Sequence, residues 1–356
     1  MKIFLLSGAY KNAGDFLIEE RTKYILSHVY PESQLCVCLR NEVHKKLNEI
    51  NKSDAVVIGG GPIYMKNLEN YIPIDSYMNI TAPMMIVGSG WYGYNGGKNV
   101  TKNYKFNKKT YSLLAKIDKE GLGLGCRDLY TMQILKQEGF DNIMMTGCPA
   151  WYDIPNINKT ELNESHNFNN IFISDPADEI NDVQAILVTQ YLKRKYPNAN
   201  ISFIFHRGIK TSRKLYENIK KIENVRIIDI SNSSSGFEEY RNCDLHVGYR
   251  VHAHIYNLSI RNKTVLIEED GRGAGVNETL GLPSIRAYND LISTDSKLTH
   301  AFYKRSHYYK NEKVLVELDN YLDLLQETDF QYIKNAFTLQ KAYWNNMVRF
   351  VSQINK

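Results

Sequence analysis

Long apolar runs are missing from this chain. No stretch of its 356 residues approaches the ~18 consecutive apolar positions that a membrane-spanning helix needs. A secretory leader is not legible either. After Met1 and Lys2 the run IFLL stops at Ser7-Gly8, too short for an h-region. Cysteine is sparse and odd in number. Cys36, Cys38, Cys126, Cys148 and Cys243 are scattered, which argues against a disulfide framework and fits a reducing compartment. Asn-x-Ser/Thr triplets such as Asn257-Leu258-Ser259 then read as accidents of an Asn-rich composition. Metal-site spacings of the C-x-x-C or H-x-x-x-H kind do not occur, and no internal repeat or low-complexity tract stands out. Dense positive charge is lacking too. The formal net charge of +5 suits anionic small molecules or a membrane surface, and falls short of the basic stripe of a nucleic-acid binder.

What remains is an ordinary globular composition in a long chain. Hydrophobic residues make up 43%, enough for two cores, and the length suits two domains. Short apolar runs alternate with amphipathic segments. KIFLLSG, QLCVCL, DAVVIGGG, PMMIVGSG, GLGLGC and NIMMTG read as strands, several apolar at consecutive positions as in sheets covered on both faces. Segments 15–29, 41–51, 107–118 and 128–138 read as helices, the last capped by Asp128 and ended by Gly139. The polar, Asn-rich stretch 153–169 has no period and reads as a linker. Alternation then resumes with strands IFIS, ISFIFH, VRIIDIS, DLHVGY, KTVLIE and PSIRAY and helices at 180–196, 211–223 and 236–242. From about 291 to 356 the chain reads as helical. The expected fold is α/β: Rossmann-like domains at 1–152 and 170–290 face a cleft, followed by C-terminal helices.

In such sheets ligands bind beyond the carboxyl ends of the strands. Five stretches fall there. SGAYKNAGD follows the first strand, with Asn12 and a possible helix cap in Asp15; it is neither a dinucleotide fingerprint nor a P-loop. Gly59, Gly60 and Gly61 end another strand, where bare backbone leaves N–H groups for an anion; a tight turn before Pro62 explains them as well. Arg127, in GCRD, can clamp a phosphate or carboxylate with two donors, or pair with Asp128 at the surface. FHRG repeats the arrangement with His206 and Arg207. GYRVHAHIYNLS sets Arg250, His252 and His254 where a strand runs into a helix. A metal site at His252 and His254 lacks further ligands, and core histidines bonded to backbone are a second account. The third is an anion-binding arginine beside an acid/base histidine. Cys36 and Cys38 read as buried apolar residues. The lysine-rich run 98–109, with Tyr104 and Phe106 interleaved, reads as a solvated loop or as a contact for anionic lipid headgroups.

In order and spacing, GAYKNAGD, DAVVIGGGP, GCRDLYTMQILKQEGF and GYRVHAHIYNLS resemble the polysaccharide pyruvyl transferases over about residues 1–290. The resemblance implies a glycosyltransferase-B-like fold, the first domain facing the acceptor and the second the donor. It implies phosphoenolpyruvate as co-substrate, no metal or other cofactor, and an acceptor saccharide, in one form lipid-linked, for capsule, exopolysaccharide or wall polymer assembly. Nucleic acid is not an expected partner. The implied location is the cytoplasm, with the inner face of the plasma membrane as the place of any peripheral contact. In this reading Arg127 and Arg250 grip the donor, His252 is the general acid, and the glycine amides with His206 or Arg207 hold the departing phosphate. Family members continue into a loop carrying a lysine. Here LIEEDGRGAGVNETLGLP offers Arg272 instead. That loop is also similar to the nucleotide-sugar loop of glycosyltransferases, with a helix starting near Asn277 and Asp270 and Glu278 as paired acids. The alternatives are therefore a nucleotide-sugar-dependent glycosyltransferase and an inactive saccharide-binding member of the family.

Overall fold

The computed structural model describes residues 1–93, 101–102, 104–163, 168–289 and 311–355. Consecutive apolar runs become strands, buried along nearly their whole length in the middle of each sheet and only in part at the edges. In the first lobe these are β1 (Lys2–Ser7), β2 (Gln34–Leu39), β3 (Ala55–Gly59), β4 (Pro62–Tyr64), β5 (Met84–Trp91), β6 (Gly123–Cys126) and β7 (Ile143–Met145). Their order is β2-β1-β3-β5-β6-β7, with β4 added on β5. The second lobe has β8 (Asn170–Ser174), β9 (Asn200–Phe205), β10 (Val225–Asp229), β11 (Leu245–Gly248), β12 (Lys263–Glu268) and β13 (Ile285–Arg286), in the order β10-β9-β8-β11-β12-β13. Every pairing among the described residues is parallel. Parallel strands need crossovers, and the amphipathic segments supply them: α1 (Ala13–Val29), α2 (Val43–Ile50), α3 (Ile74–Met78), α4 (Lys108–Glu120), α5 (Leu129–Gln137), α6 (Asp182–Lys195), α7 (Arg213–Ile219), α8 (Val251–Ser259) and α9 (Gly271–Leu280). Asp128 caps α5 by accepting from Thr131 N at 2.8 Å, and Gly139 beyond the helix has φ +84°.

Four expectations change in detail. The helix read at 236–242 is a 3-10 turn, Ser235–Asn242, and PSIRAY contributes two strand residues. The described part of 153–169 is docked rather than loose: Asn156 and Ile157 are buried, Asp153 pairs with buried Arg21 at 2.5 Å, and Asn163 N donates to Arg261 O. In the lysine-rich run, Tyr104 and Phe106 are buried, Tyr104 edge-on to Trp91 and to Phe106, so neither ring is available to lipid. Residues 98–100 and 103 of that run lie outside the described residues, as do 164–167 of the linker and 290–310, where the C-terminal helical region was read to begin.

Among the described residues two C-terminal α-helices follow, α10 (Val314–Glu327) and α11 (Gln331–Val351). The second ties both lobes together. Asn346 donates to Met145 O and Gln340 to Trp151 O in the first lobe, and Arg261 of the second donates to Gln340 Oε1. Among the described residues no helix is long and apolar enough to cross a membrane.

Candidate active site

The carboxyl ends of both sheets point at one another across a cavity of about 360 Å³. The lobes meet around it through backbone hydrogen bonds: Ala13 N to His206 O (3.1 Å), Asn232 N to Lys11 O (2.9 Å) and Gly271 N to Gly93 O (3.1 Å). Among the described residues five arginines line it, Arg40 and Arg127 from the first lobe and Arg207, Arg250 and Arg272 from the second, and three acids, Asp15, Glu269 and Asp270. A cleft with this excess of guanidinium groups is built for anions.

Arg250 is the N-cap residue of α8. Its Nε and Nη2 each donate to a different oxygen of Asp175 at 2.7 Å, and Nη2 also donates to Pro176 O. Both partners are buried, and a fork held this way has little freedom of orientation. Its Nη1 has no protein partner among the described residues. Arg127, just past β6, is held similarly. Nε donates to Asp128 at 3.0 Å and Nη2 weakly to Trp91 O, which leaves Nη1 uncommitted. The Arg127–Asp128 pair is thus buried, not a surface pair. The guanidinium lies on the backbone of Gly90, where a Cβ would come within 2.2 Å of Arg127 Cζ.

His252 stands on the first turn of α8 and lines the cavity together with Arg127 and Arg250. Its ring rests on the first turn of α1: a Cβ on Gly14 would lie 1.9 Å from His252 Nδ1. That explains a glycine inside the N-x-G-D loop, since the close approach across the cleft needs a residue without Cβ. Desolvation, then the positive charges of Arg127, Arg272 and Arg250, hold the His252 imidazole down at about 3. His254 does not join it. The helix turns its ring inward, fully enclosed, with Nδ1 2.9 Å from Thr264 Oγ1. A shared metal site is thereby removed, and no group of three or more His, Cys, Asp or Glu among the described residues is placed to hold a metal.

Asn12 is the N-cap residue of α1 and donates to Asp15 Oδ2 at 3.3 Å. Asp15 therefore lies in the first turn rather than at the cap. Burial raises its pKa above the ordinary carboxylate value, opposed by Asn12, Arg40, Arg272 and Arg207. Gly59 and Gly61 line the cavity with Gly60 between them, and two of their carbonyls are engaged within the protein. Gly59 O and Gly60 O accept from Arg40 Nη2 at 2.7 and 2.6 Å, while Gly60 N is spent on Val87 O. His206 is fully enclosed in the wall, its Nε2 2.8 Å from Tyr240 OH, and burial followed by the charge of Arg250 keeps it neutral. Arg207 is exposed at the rim and donates to Ala177 O.

The loop 268–278 departs most from expectation. The helix begins at Gly271 with Asp270 as cap, six residues earlier than Asn277. Asn277 is buried in mid-helix and donates to Glu268 Oε1. Glu278 is exposed and does not line the cavity, so the paired-acid arrangement with Asp270 does not form. Asp270 instead accepts a forked bond from Arg272. Glu269, raised to about 7 by burial, accepts from the amides of Ala177 and Asp178 and from Asn181. Glu268 bonds Asn277 and Ser284, away from the cleft. Asp175, the anchor of Arg250, and Arg40 carried no sequence motif. Their one signal was position, each directly after a strand's last residue.

Residues 12–256 match the family described as polysaccharide pyruvyl transferase, which is more than half of the chain. No curated protein sequence matches it. Among solved structures it resembles a UDP-GlcNAc 2-epimerase from Neisseria meningitidis bound to UDP-GlcNAc (11% identity, 96% of this chain and 97% of that one, TM-score 0.54). It also resembles MnaA of S. aureus solved with UDP (10% identity, 92% and 97%, TM-score 0.54). A glycosyltransferase from Rickettsia africae ESF-5 aligns similarly (12% identity, 99% and 96%, TM-score 0.52). At these identities the likeness speaks for the fold, two Rossmann-like domains of the glycosyltransferase-B kind.

Proposed function

The chain belongs to the polysaccharide pyruvyl transferase family, and from that premise we propose that its cleft transfers the three-carbon unit of phosphoenolpyruvate to two hydroxyls of one saccharide as a ketal. The observation that carries this reading is the set of groups around His252: Arg127 from one lobe, Arg250 and Arg272 from the other. Phosphoenolpyruvate is small and bears both a phosphate and a carboxylate. The free Nη1 donors of rigidly held arginines match such a ligand.

The step begins with a proton delivered to the methylene carbon from His252. The adjacent carbon becomes an oxocarbenium-like electrophile. One saccharide hydroxyl adds to it, forming a C–O bond and losing a proton; Asp15, with its raised pKa in the same cavity, is suited to accept that proton. The C–O bond to phosphate breaks and inorganic phosphate leaves with the electron pair, stabilised by the arginines. A second hydroxyl of the same sugar adds, its proton departing with phosphate. The products are one ketal and one phosphate, so no redox partner is needed.

His252 is neutral at pH 7 in the empty cleft and cannot act as an acid there. The bound donor supplies the missing condition. Its negative charge offsets the three guanidinium groups that depress the imidazole and favours the protonated ring. The acid is thus armed only when there is something to protonate.

The test is turnover. The purified chain is incubated with a saccharide panel and either phosphoenolpyruvate or nucleotide sugars. Saccharide-dependent phosphate release is expected, and it should vanish in His252→Ala. Nucleotide release from the second set would replace this reading with a glycosyltransferase. No release from either set would leave a saccharide-binding protein without activity.

A further inference from the structure

Among the described residues the cavity holds one buried arginine that the donor does not account for. Arg40 follows β2 at its carboxyl end and is 8% exposed. Its side chain is held by backbone alone: Nε donates to Leu6 O at 3.4 Å, and Nη2 to Gly59 O and Gly60 O. Among the described residues no carboxylate lies within ion-pair distance of it. The three other buried or half-buried arginines that line the cavity sit against an acid: Arg127 on Asp128, Arg250 on Asp175, Arg272 on Asp270. A buried cation with no ion-pair partner is costly, and one that faces a cavity is suited to an anionic ligand. Among the described residues Nη1 of Arg40 has no protein partner, and two glycines border it: a Cβ on Gly8 or Gly61 would lie 3.2 or 3.3 Å away. The space in front of this donor is therefore kept open on the cavity side.

Arg40 is also distinct from the donor cluster. Arg127, Arg250 and Arg272 bear on His252 and Arg40 does not; Arg40 bears on Asp15, together with Arg272 and Arg207. Beyond the Gly59–Gly61 turn that it holds, the cavity wall turns apolar and aromatic through Ile63, Met65, Leu68, Tyr71 and Ile72. That wall suits the C–H face of a sugar ring.

We infer that Arg40 forms a second anion-binding subsite, in the first lobe, which takes a carboxylate or phosphate carried by the acceptor saccharide. The acceptor is then an anionic sugar, seated with its charge on Arg40 and its ring against the Ile63–Ile72 wall, its hydroxyls turned toward Asp15. This rests on the donor occupying the Arg127–Arg250 side of the same cavity.

The experiment is calorimetric titration of the full chain, with and without saturating phosphoenolpyruvate. The titrants are D-glucuronate, α-D-glucose 1-phosphate and D-glucose. At least one anionic sugar is expected to bind about tenfold or more tighter than glucose, and glucuronate against glucose 1-phosphate distinguishes carboxylate from phosphate. In Arg40→Met that preference should fall below about twofold. Phosphoenolpyruvate affinity should stay within about threefold, which separates a subsite from a merely structural arginine. Arg40→Lys, which keeps the charge, should retain part of the preference and covers the case in which the methionine variant does not fold. Wild-type protein that binds glucose as well as either anion overturns the subsite, as does a preference that survives in Arg40→Met. Failure of phosphoenolpyruvate to bind wild-type protein overturns the proposed donor instead, and the sugar arms run without it still decide the role of Arg40.

Discussion

Binding of phosphoenolpyruvate should draw a proton onto His252. In the free cleft desolvation and the charges of Arg127, Arg272 and Arg250 hold the ring at about 3, so at pH 7 it is neutral. Raising it from there to about 7 requires roughly 5.5 kcal/mol at ~1.4 kcal/mol per pH unit. One negative charge about 4 Å away contributes ~4 kcal/mol at an effective dielectric near 20, and half that at twice the distance. A donor with phosphate and carboxylate on the same guanidinium groups can therefore supply the shift. Calorimetry in buffers of different ionisation enthalpy reads the uptake directly. Glu269, held up at about 7, will also take up part of a proton, so the decisive quantity is the difference between wild type and His252→Gln. That difference should approach one proton per donor bound at pH 7. Equal uptake in the two proteins would refute the assignment of His252 and the electrostatic reasoning behind it.

Gly14→Ala should cost about a hundredfold or more in turnover while the helix it begins stays folded, because the new Cβ displaces the His252 ring; rates like wild type would mean the ring does not rest there. Asp175→Ala should lower unfolding free energy by ~3–5 kcal/mol in urea titration, since it strands Arg250 in the interior, and a loss below about 1 kcal/mol would contradict a buried pair. Acid stability follows from His206, His246 and His254, all enclosed and neutral. Their folded pKa values lie below the unfolded value of about 6.5, so between the two the unfolded chain binds more protons and stability rises with pH, by ~1.4 kcal/mol per unit for each. Glu268 and Glu269, raised to about 7, work the other way between about 4.5 and 7. The urea midpoint should therefore fall most steeply below about pH 4.5, and less steeply in His254→Gln; a flat profile would count against the buried neutral rings.

The architecture was legible because its signals are redundant. Apolar runs, crossover helices and glycine-marked strand ends all point to parallel sheets meeting at a cleft, and an error of one or two residues in any of them changes nothing. The order of N-x-G-D, G-G-G, R-D and R-V-H along the chain likewise led to the residues that line the cavity. Single side chains were harder. GRGAGVNE reads as a loop because three glycines weaken a helix, and so its start was placed near Asn277. The glycines serve packing instead: a Cβ on Gly271 would strike Trp91 at 2.3 Å, and one on Gly275 would meet Asp128 at 2.8 Å. The helix pays in propensity for contact across the lobes, which no local pattern records. The hold of Arg40 on the Gly59 and Gly60 carbonyls was not legible for a similar reason. Only the fold brings Arg40 to their carbonyls, and a lone arginine after a strand has no motif to announce it.

The central claim is that guanidinium groups from both lobes hold one donor beside His252. Phosphoenolpyruvate affinity in Arg127→Lys and Arg250→Lys tests it most directly, since lysine keeps the charge but loses the fork that fixes each group. Wild type should bind one equivalent, and each variant should lose about tenfold or more in affinity. Unchanged affinity in either variant would contradict the claim.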